Sequence, residues 1–139
     1  MSSFFTAMKN KPRRPRRGAA TAELAVCLPL IVLIAMGSIQ AASMTFMRQA
    51  LVQSAYETVK ASVKQRGSQA EGLTRGQQVL AARSMQGHQI SFNPNNVDSL
   101  DRGTPVTVTV SAPGDPNTIF PFGPFAGRTV SVQATMLKE

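Results

Sequence analysis

The sequence predicts an α+β chain. One long N-terminal helix, apolar along its first part and amphipathic along its second, packs on a small antiparallel β-sheet head with one short extra helix. Three observations predict it. Residues 24–47 carry no formal charge and are rich in Leu, Ile, Val and Met. Met44, Met47, Leu51, Ala55, Val59 and Val63 then recur at three- and four-residue spacing. Further on, Val106-Thr107-Val108-Thr109-Val110 and residues 129–136 (TVSVQATM) alternate with a period of two.

A chain of 139 residues has room for an anchor plus a small domain. The net charge of +8 is divided unevenly. Residues 1–18 hold six basic groups, Lys9, Lys11, Arg13, Arg14, Arg16 and Arg17, and no acidic ones. The remainder holds nine basic and seven acidic groups, a balance of +2. Nucleic-acid binding needs cations on a folded face, often with aromatics between them, whereas this excess lies in a Pro-containing tail without periodicity. A nucleic-acid partner is therefore not expected. Cys27 is alone, which rules out an intrachain disulfide. Leu24-Ala25-Val26-Cys27 is a poor lipidation signal, because Val26 is too large and the apolar run follows the cysteine. Cys27 is read as a small buried apolar side chain.

As a helix, Leu24–Met47 extends about 36 Å, enough to cross roughly 30 Å of hydrocarbon. Six cations precede it and none follows until Arg48. That asymmetry predicts a single span with a cytoplasmic N-terminus and an exported C-terminal part. Pro29 frees the carbonyl of Ala25 and predicts a kink or loosening there. Gly37 with Ala41, and Ser38 with Ala42, place small residues four apart, which favours close helix approach. The stripe from Met47 to Val63, with Val52 and Tyr56 alongside, carries the helix beyond the bilayer to near Gln65. Arg48, Gln49, Gln53, Glu57, Lys60 and Lys64 lie mostly on other faces. One helix from about Ala20 to Gln65 is roughly 70 Å long, and its stripe requires a partner from the C-terminal region.

Glu23 stands at the edge of the apolar run, where an uncompensated carboxylate is costly. Arg16-Arg17-Gly18, followed by Ala19-Ala20-Thr21-Ala22-Glu23 and an apolar helix, resembles the type IV prepilin signal. The wider pattern, RRGAATAELAVCLPLIVLIAMGSIQ followed by RQALVQSA, resembles the TadE-like minor pilins of tight-adherence (Flp-type) pili over about residues 16–66. The resemblance implies a pilin-like fold, cutting after Gly18 by a prepilin peptidase, and a role for Glu23, at mature position five, in subunit assembly. It also implies as partners other pilin or pseudopilin subunits, the Tad inner-membrane assembly platform and the lipid bilayer. Leu24 stands where major Flp pilins usually have tyrosine, and major pilins lack a substantial head; both differences favour a minor subunit. Cutting after Gly18 gives Ala19 a new α-amine, positively charged near neutral pH, one helical turn from Glu23. A carboxylate there also complements the helix dipole. Between chains, such a pair selects an axial register. The resulting organisation is a basic leader over 1–18 that includes Arg13, Arg14, Arg16 and Arg17, a long helix over 19–66, and an exported head over 67–139.

In the head, residues 67–72 (GSQAEG) read as a polar break. Thr74 is the expected cap of a short helix Arg75–Met85, with Val79, Leu80 and Ala82 as its apolar side and Gly87 as its stop. Residues 88–92 read as a strand and 93–103 as a polar loop. Residues 111–127 hold Phe120, Phe122 and Phe125 among four prolines. They are read either as a subunit-contact surface or as phenylalanines folded onto a small core.

Neither a Ser/His/Asp arrangement, a Cys/His ligand cluster nor a phosphate-cradling loop is present. Asn95, Asn96, Asp98 and Asp101 match no calcium loop and lack a bidentate Glu. His88 is the single histidine. The expectation is a non-enzyme without metal or cofactor, itself the substrate of a peptidase. The alternative is an ordinary exported or membrane-anchored binding protein, with Ala35-Met36-Gly37 as a small-x-small cleavage site. That reading leaves Glu23 and the 44–63 stripe without a purpose.

Overall fold

Helix α1 (Arg17–Val63) runs for 47 residues and is continuous through Pro29. The predicted limits, Ala20 and Gln65, fall close to these. The computed structural model describes residues 17–119 and 127–139, and of Arg17 the backbone alone. The chain divides into two compact units, Met1–Met36 and Gly37–Glu139. In the first, every residue from Gly18 to Met36 is exposed, the large apolar side chains included.

In the second unit, burial on α1 begins at Gln40 and becomes periodic from Met47. Met47, Leu51, Ala55, Val59 and Val63 are each no more than 4% exposed. They share one core with Val106, Val108, Val110 and Ala112 of the sheet. The predicted stripe thus has its predicted partner. Val52 and Tyr56 lie off it and face outward.

The sheet comprises β1 (Gln89–Asn93), β2 (Pro105–Pro113) and β3 (Thr129–Leu137), in the order β1-β2-β3 with both pairings antiparallel. Strict alternation in β2 puts its valines on α1 and its threonines on the far face. Val108 stands between Phe92 and Ala134, and Val110 between Ile90 and Val132, so apolar rows cross all three strands. On the far face the Thr107 and Thr135 hydroxyls lie 2.8 Å apart. Each fully buried valine or leucine contributes about 1.5–3 kcal/mol relative to exposure.

Helix α2 (Gln69–Ala82) corrects the predicted Arg75–Met85. The cap is Ser68, whose side chain accepts the Glu71 N–H at 3.1 Å. Thr74 instead lies inside the helix and donates to the Ala70 carbonyl at 2.9 Å. The break before α2 is correspondingly shorter than 67–72, and Ala82 is exposed rather than apolar-facing. The helix stops without Gly87: Ser84 takes a left-handed φ of 53°, its N–H bonds to Ala81 O at 2.9 Å, and the Met85 N–H bonds to Leu80 O at 2.9 Å.

Two glycines explain how α2 docks. A Cβ on Gly72 would lie 2.7 Å from Thr58 O and 2.9 Å from Ser62 Cβ; one on Gly76 would lie 2.0 Å from Thr58 Oγ1. Ser54, Thr58 and Ser62 are fully buried on α1, and the Ser54 hydroxyl donates to Gly76 O at 3.0 Å. Small residues four apart on both helices bring the backbones together.

The 93–103 loop is less polar in function than in composition, because Val97 is fully buried and Leu100 packs on the core. Of the predicted 111–127 loop, Ser111–Pro113 complete β2 and Asp115–Asn117 form a 3-10 turn. The Asn117 amide donates to Gln86 O at 2.9 Å and Pro113 O at 2.7 Å, tying that turn to the entry of β1. Phe120, Phe122 and Phe125 lie outside the described residues.

Candidate functional site

The candidate site is the N-terminal part of α1. Its opening sequence, Ala-Ala-Thr-Ala-Glu-Leu-Ala, consists largely of good helix formers, so the helix begins at the motif itself. Gly18, Ala19 and Glu23 are all on α1 and all exposed. Nothing lies within 4 Å of where a Cβ on Gly18 would stand. Four residues of helix separate Ala19 from Glu23, about 6 Å of axial rise, so both sit on one face. The Glu23 carboxylate makes no hydrogen bond or ion pair with any described residue. Arg13, Arg14 and Arg16 lie outside the described residues, and of Arg17 the backbone position at the start of α1 is what is described.

Beyond Glu23 the helix is apolar all round. Leu24, Leu30, Ile31, Leu33 and Ile34 are 59–67% exposed. Cys27 is exposed as well, contrary to the expected burial, since no described element covers the helix here. Among the described residues, one helix, Gly18–Val63, is long and apolar enough to cross a membrane. Its most apolar window has a mean hydropathy of 2.3 and is 0% buried. A core helix of a water-soluble domain buries such a window against its own chain. Here an external apolar medium, lipid or other helices, must do so.

Chemically, this arrangement offers a glycine in open space, a carboxylate little more than one turn after it and an apolar rod. Among the described residues no group of three or more His, Cys, Asp or Glu could hold a metal ion. His88 Nδ1 lies 3.1 Å from Met85 O, a local contact at the start of β1.

On the outward face of α1 in the second unit, Val52 and Tyr56 border a shallow apolar hollow with Thr45, Arg48 and Gln49. Lys60 Nζ sits 5.7 Å from the Tyr56 ring centroid. The sequence reading missed a different feature, the Ser54/Thr58/Ser62 row and its glycine partners. The signal that finds it is small residues at every fourth position in two neighbouring helical segments.

No curated protein and no solved structure matches the chain. Residues 18–60, from the motif glycine into the amphipathic half of α1, match the family model described as TadE-like protein, the same family that the RRGAATAE and RQALVQSA patterns resemble.

Proposed function

We propose that this chain is a minor pilin or pseudopilin of a Tad-type (Flp) pilus. A prepilin peptidase cuts it after Gly18, residues 24–47 hold it in the inner membrane with the N-terminus cytoplasmic, and the head of residues 67–139 is exported. It takes part in pilus assembly, adhesion or secretion together with other pilin subunits and the Tad assembly platform, and carries out no catalysis itself. The observation that carries this reading is the match of residues 18–60 to the TadE-like family over the same helix whose most apolar window has no cover among the described residues.

The physical role of Glu23 follows from its isolation. A carboxylate with no described partner, at the edge of an apolar helix, is stabilised when a cation arrives at fixed geometry. The α-amine of a processed Ala19, on the same chain or a neighbour, is that cation.

N-terminal sequencing of the mature protein tests the reading. A start at Ala19 supports it; a start near Ser38, or an intact Met1, refutes processing as a pilin. Glu23→Ala is expected to insert in the membrane normally and fail in assembly, read as loss of surface pili with an undiminished membrane-fraction signal. Normal piliation of that variant would remove the register role.

A further inference from the structure

β3 (Thr129–Leu137) has β2 on one side and no described strand on the other. Its nine residues contain no charge, proline or glycine, and its pairing with β2 runs through every residue without a bulge. Charges, prolines and bulges are the devices that ordinarily keep a sheet edge from pairing further. Two hydrogen bonds fix which way the backbone of β3 points. The Gly114 N–H reaches Arg128 O at 2.7 Å and the Lys138 N–H reaches Thr104 O at 2.9 Å, so the even-numbered residues of β3 bond β2. The N–H and C=O groups of Thr129, Ser131, Gln133, Thr135 and Leu137 therefore point outward, and no described residue bonds them.

Side-chain cover also thins toward this edge. On β2, Val106, Val108 and Val110 are 0% exposed, whereas Val130, Val132, Ala134 and Met136, on the same face, are only partly buried. The opposite edge of the sheet is β1. By the same alternation Gln89, Ser91 and Asn93 bond β2, and the backbone groups of Ile90 and Phe92 point outward without a described partner. Ile90 too is only partly buried. Because β1 and β3 are each antiparallel to β2, the two edges run in the same direction.

We propose that the open edge of β3 takes β1 of a second copy of this chain as a parallel fourth strand, a head-to-tail contact that continues the sheet. With Val132 opposite Ile90 and Ala134 opposite Phe92 of the second copy, each apolar row extends into the next head. Ser131, Gln133 and Thr135 then face Gln89, Ser91 and Asn93, uncharged polar groups against uncharged polar groups. The Gln133 N–H donates to Ile90 O and the Phe92 N–H donates to Gln133 O, in a ladder that ends at Pro94, which has no N–H. Charge selects this pairing over β3 against β3. The antiparallel alternative in full overlap sets Arg128 opposite Lys138 and leaves β1 open, whereas in the parallel register Arg128 faces Gln86. The contact is heterologous, so it repeats from copy to copy.

The test uses the full chain in detergent micelles, with Cys27→Ser removing the native thiol. Chains carrying Gln133→Cys, mixed with chains carrying Ser91→Cys and mildly oxidised, are expected to give mixed dimers in excess over both homodimers. Within one chain Ser91 and Gln133 both pair with Thr109, which sets them two strand spacings apart, about 10 Å and too far for a disulfide. The double variant is therefore expected to give a ladder of oligomers. Ser131→Pro removes an outward N–H and none of the bonds to β2, and is expected to lower the yield of mixed dimer about tenfold in a head whose urea midpoint is unchanged. Val132→Lys, which sets a charge in the row to be covered, is a second variant with the same expected loss. An excess of Gln133→Cys homodimers would establish β3 against β3 and overturn the proposal. Mixed dimers at no more than the statistical proportion would overturn it as well, and so would a yield that both edge variants leave intact.

Discussion

Leu33 and Leu51 belong to the same helix and have the same side chain, yet Leu33 is 67% exposed and Leu51 is 0% exposed. The difference is one of partners. Around Leu51 the chain provides its own cover, with β2 on one side and α2 on another. Around Leu33 the described chain provides none. Secondary structure is therefore uniform along α1 while the source of its stability changes. The second half is held by folding of the head, and the first half by whatever surrounds it. A uniformly greasy helix and a striped helix encode these two situations in sequence.

The largest expected effect comes from exchanging the same residue in the two settings. Leu51→Ala removes a fully buried side chain from the core and is expected to cost about 2–5 kcal/mol of head stability. Leu33→Ala is expected to leave head stability within about 0.5 kcal/mol. Urea unfolding of the full chain in detergent micelles, followed through the single tyrosine, Tyr56, reads both. Equal effects would mean that the first half of α1 has internal partners and would break the comparison.

Glycine sharpens it further. Gly72→Ala forces a methyl to within 2.7 Å of a backbone oxygen of α1, and the expected cost is about 1–3 kcal/mol. Gly37 has nothing within 4 Å of its would-be Cβ, so Gly37→Ala is expected to raise helix stability by up to about 1 kcal/mol. Opposite signs for two identical substitutions, read as shifts in unfolding midpoint, are the outcome to check. A smaller effect is expected at the α2 cap. Ser68→Ala loses the acceptor for the Glu71 N–H and is expected to cost about 1 kcal/mol, whereas Thr74→Ala, at the position expected from sequence to be the cap, is expected to cost less than half of that.

These helices also mark where the sequence was readable. The apolar run, the 47–63 stripe and the Val/Thr alternation of β2 were legible because burial there repeats with the period of the element. The start of α2 was not, because Ser68 and Thr74 are both good caps. The choice falls to Ser68 through contacts distant in sequence, namely Gln69 N–H to Asp98 and Gly72 against Thr58. The helix stop at Ser84 was hidden because a serine occupies a left-handed position that usually selects glycine. Val97 sits in a loop of polar composition, where one buried side chain has no period to reveal it. At the candidate site, Gly18, Ala19 and Glu23 were legible as a motif with fixed spacing. The hollow that Phe46, Met47, Arg83 and Asn117 line was not, because those residues come together through the fold.

The smallest expected effect tests the outward face of α1 within the head itself. Val52 and Val59 are seven residues apart on one helix, at 50% and 0% exposure. If the outward face has no internal partner, Val52→Ser changes head stability by no more than about 0.5 kcal/mol. Val59→Ser, which buries a hydroxyl and leaves a cavity, is expected to cost several times as much. A Val52→Ser variant that unfolds as readily as Val59→Ser would show that the head also covers α1 at Val52. The distinction between a self-supported half and an externally supported half would then have to be drawn earlier along the helix, near Gln40 where burial begins.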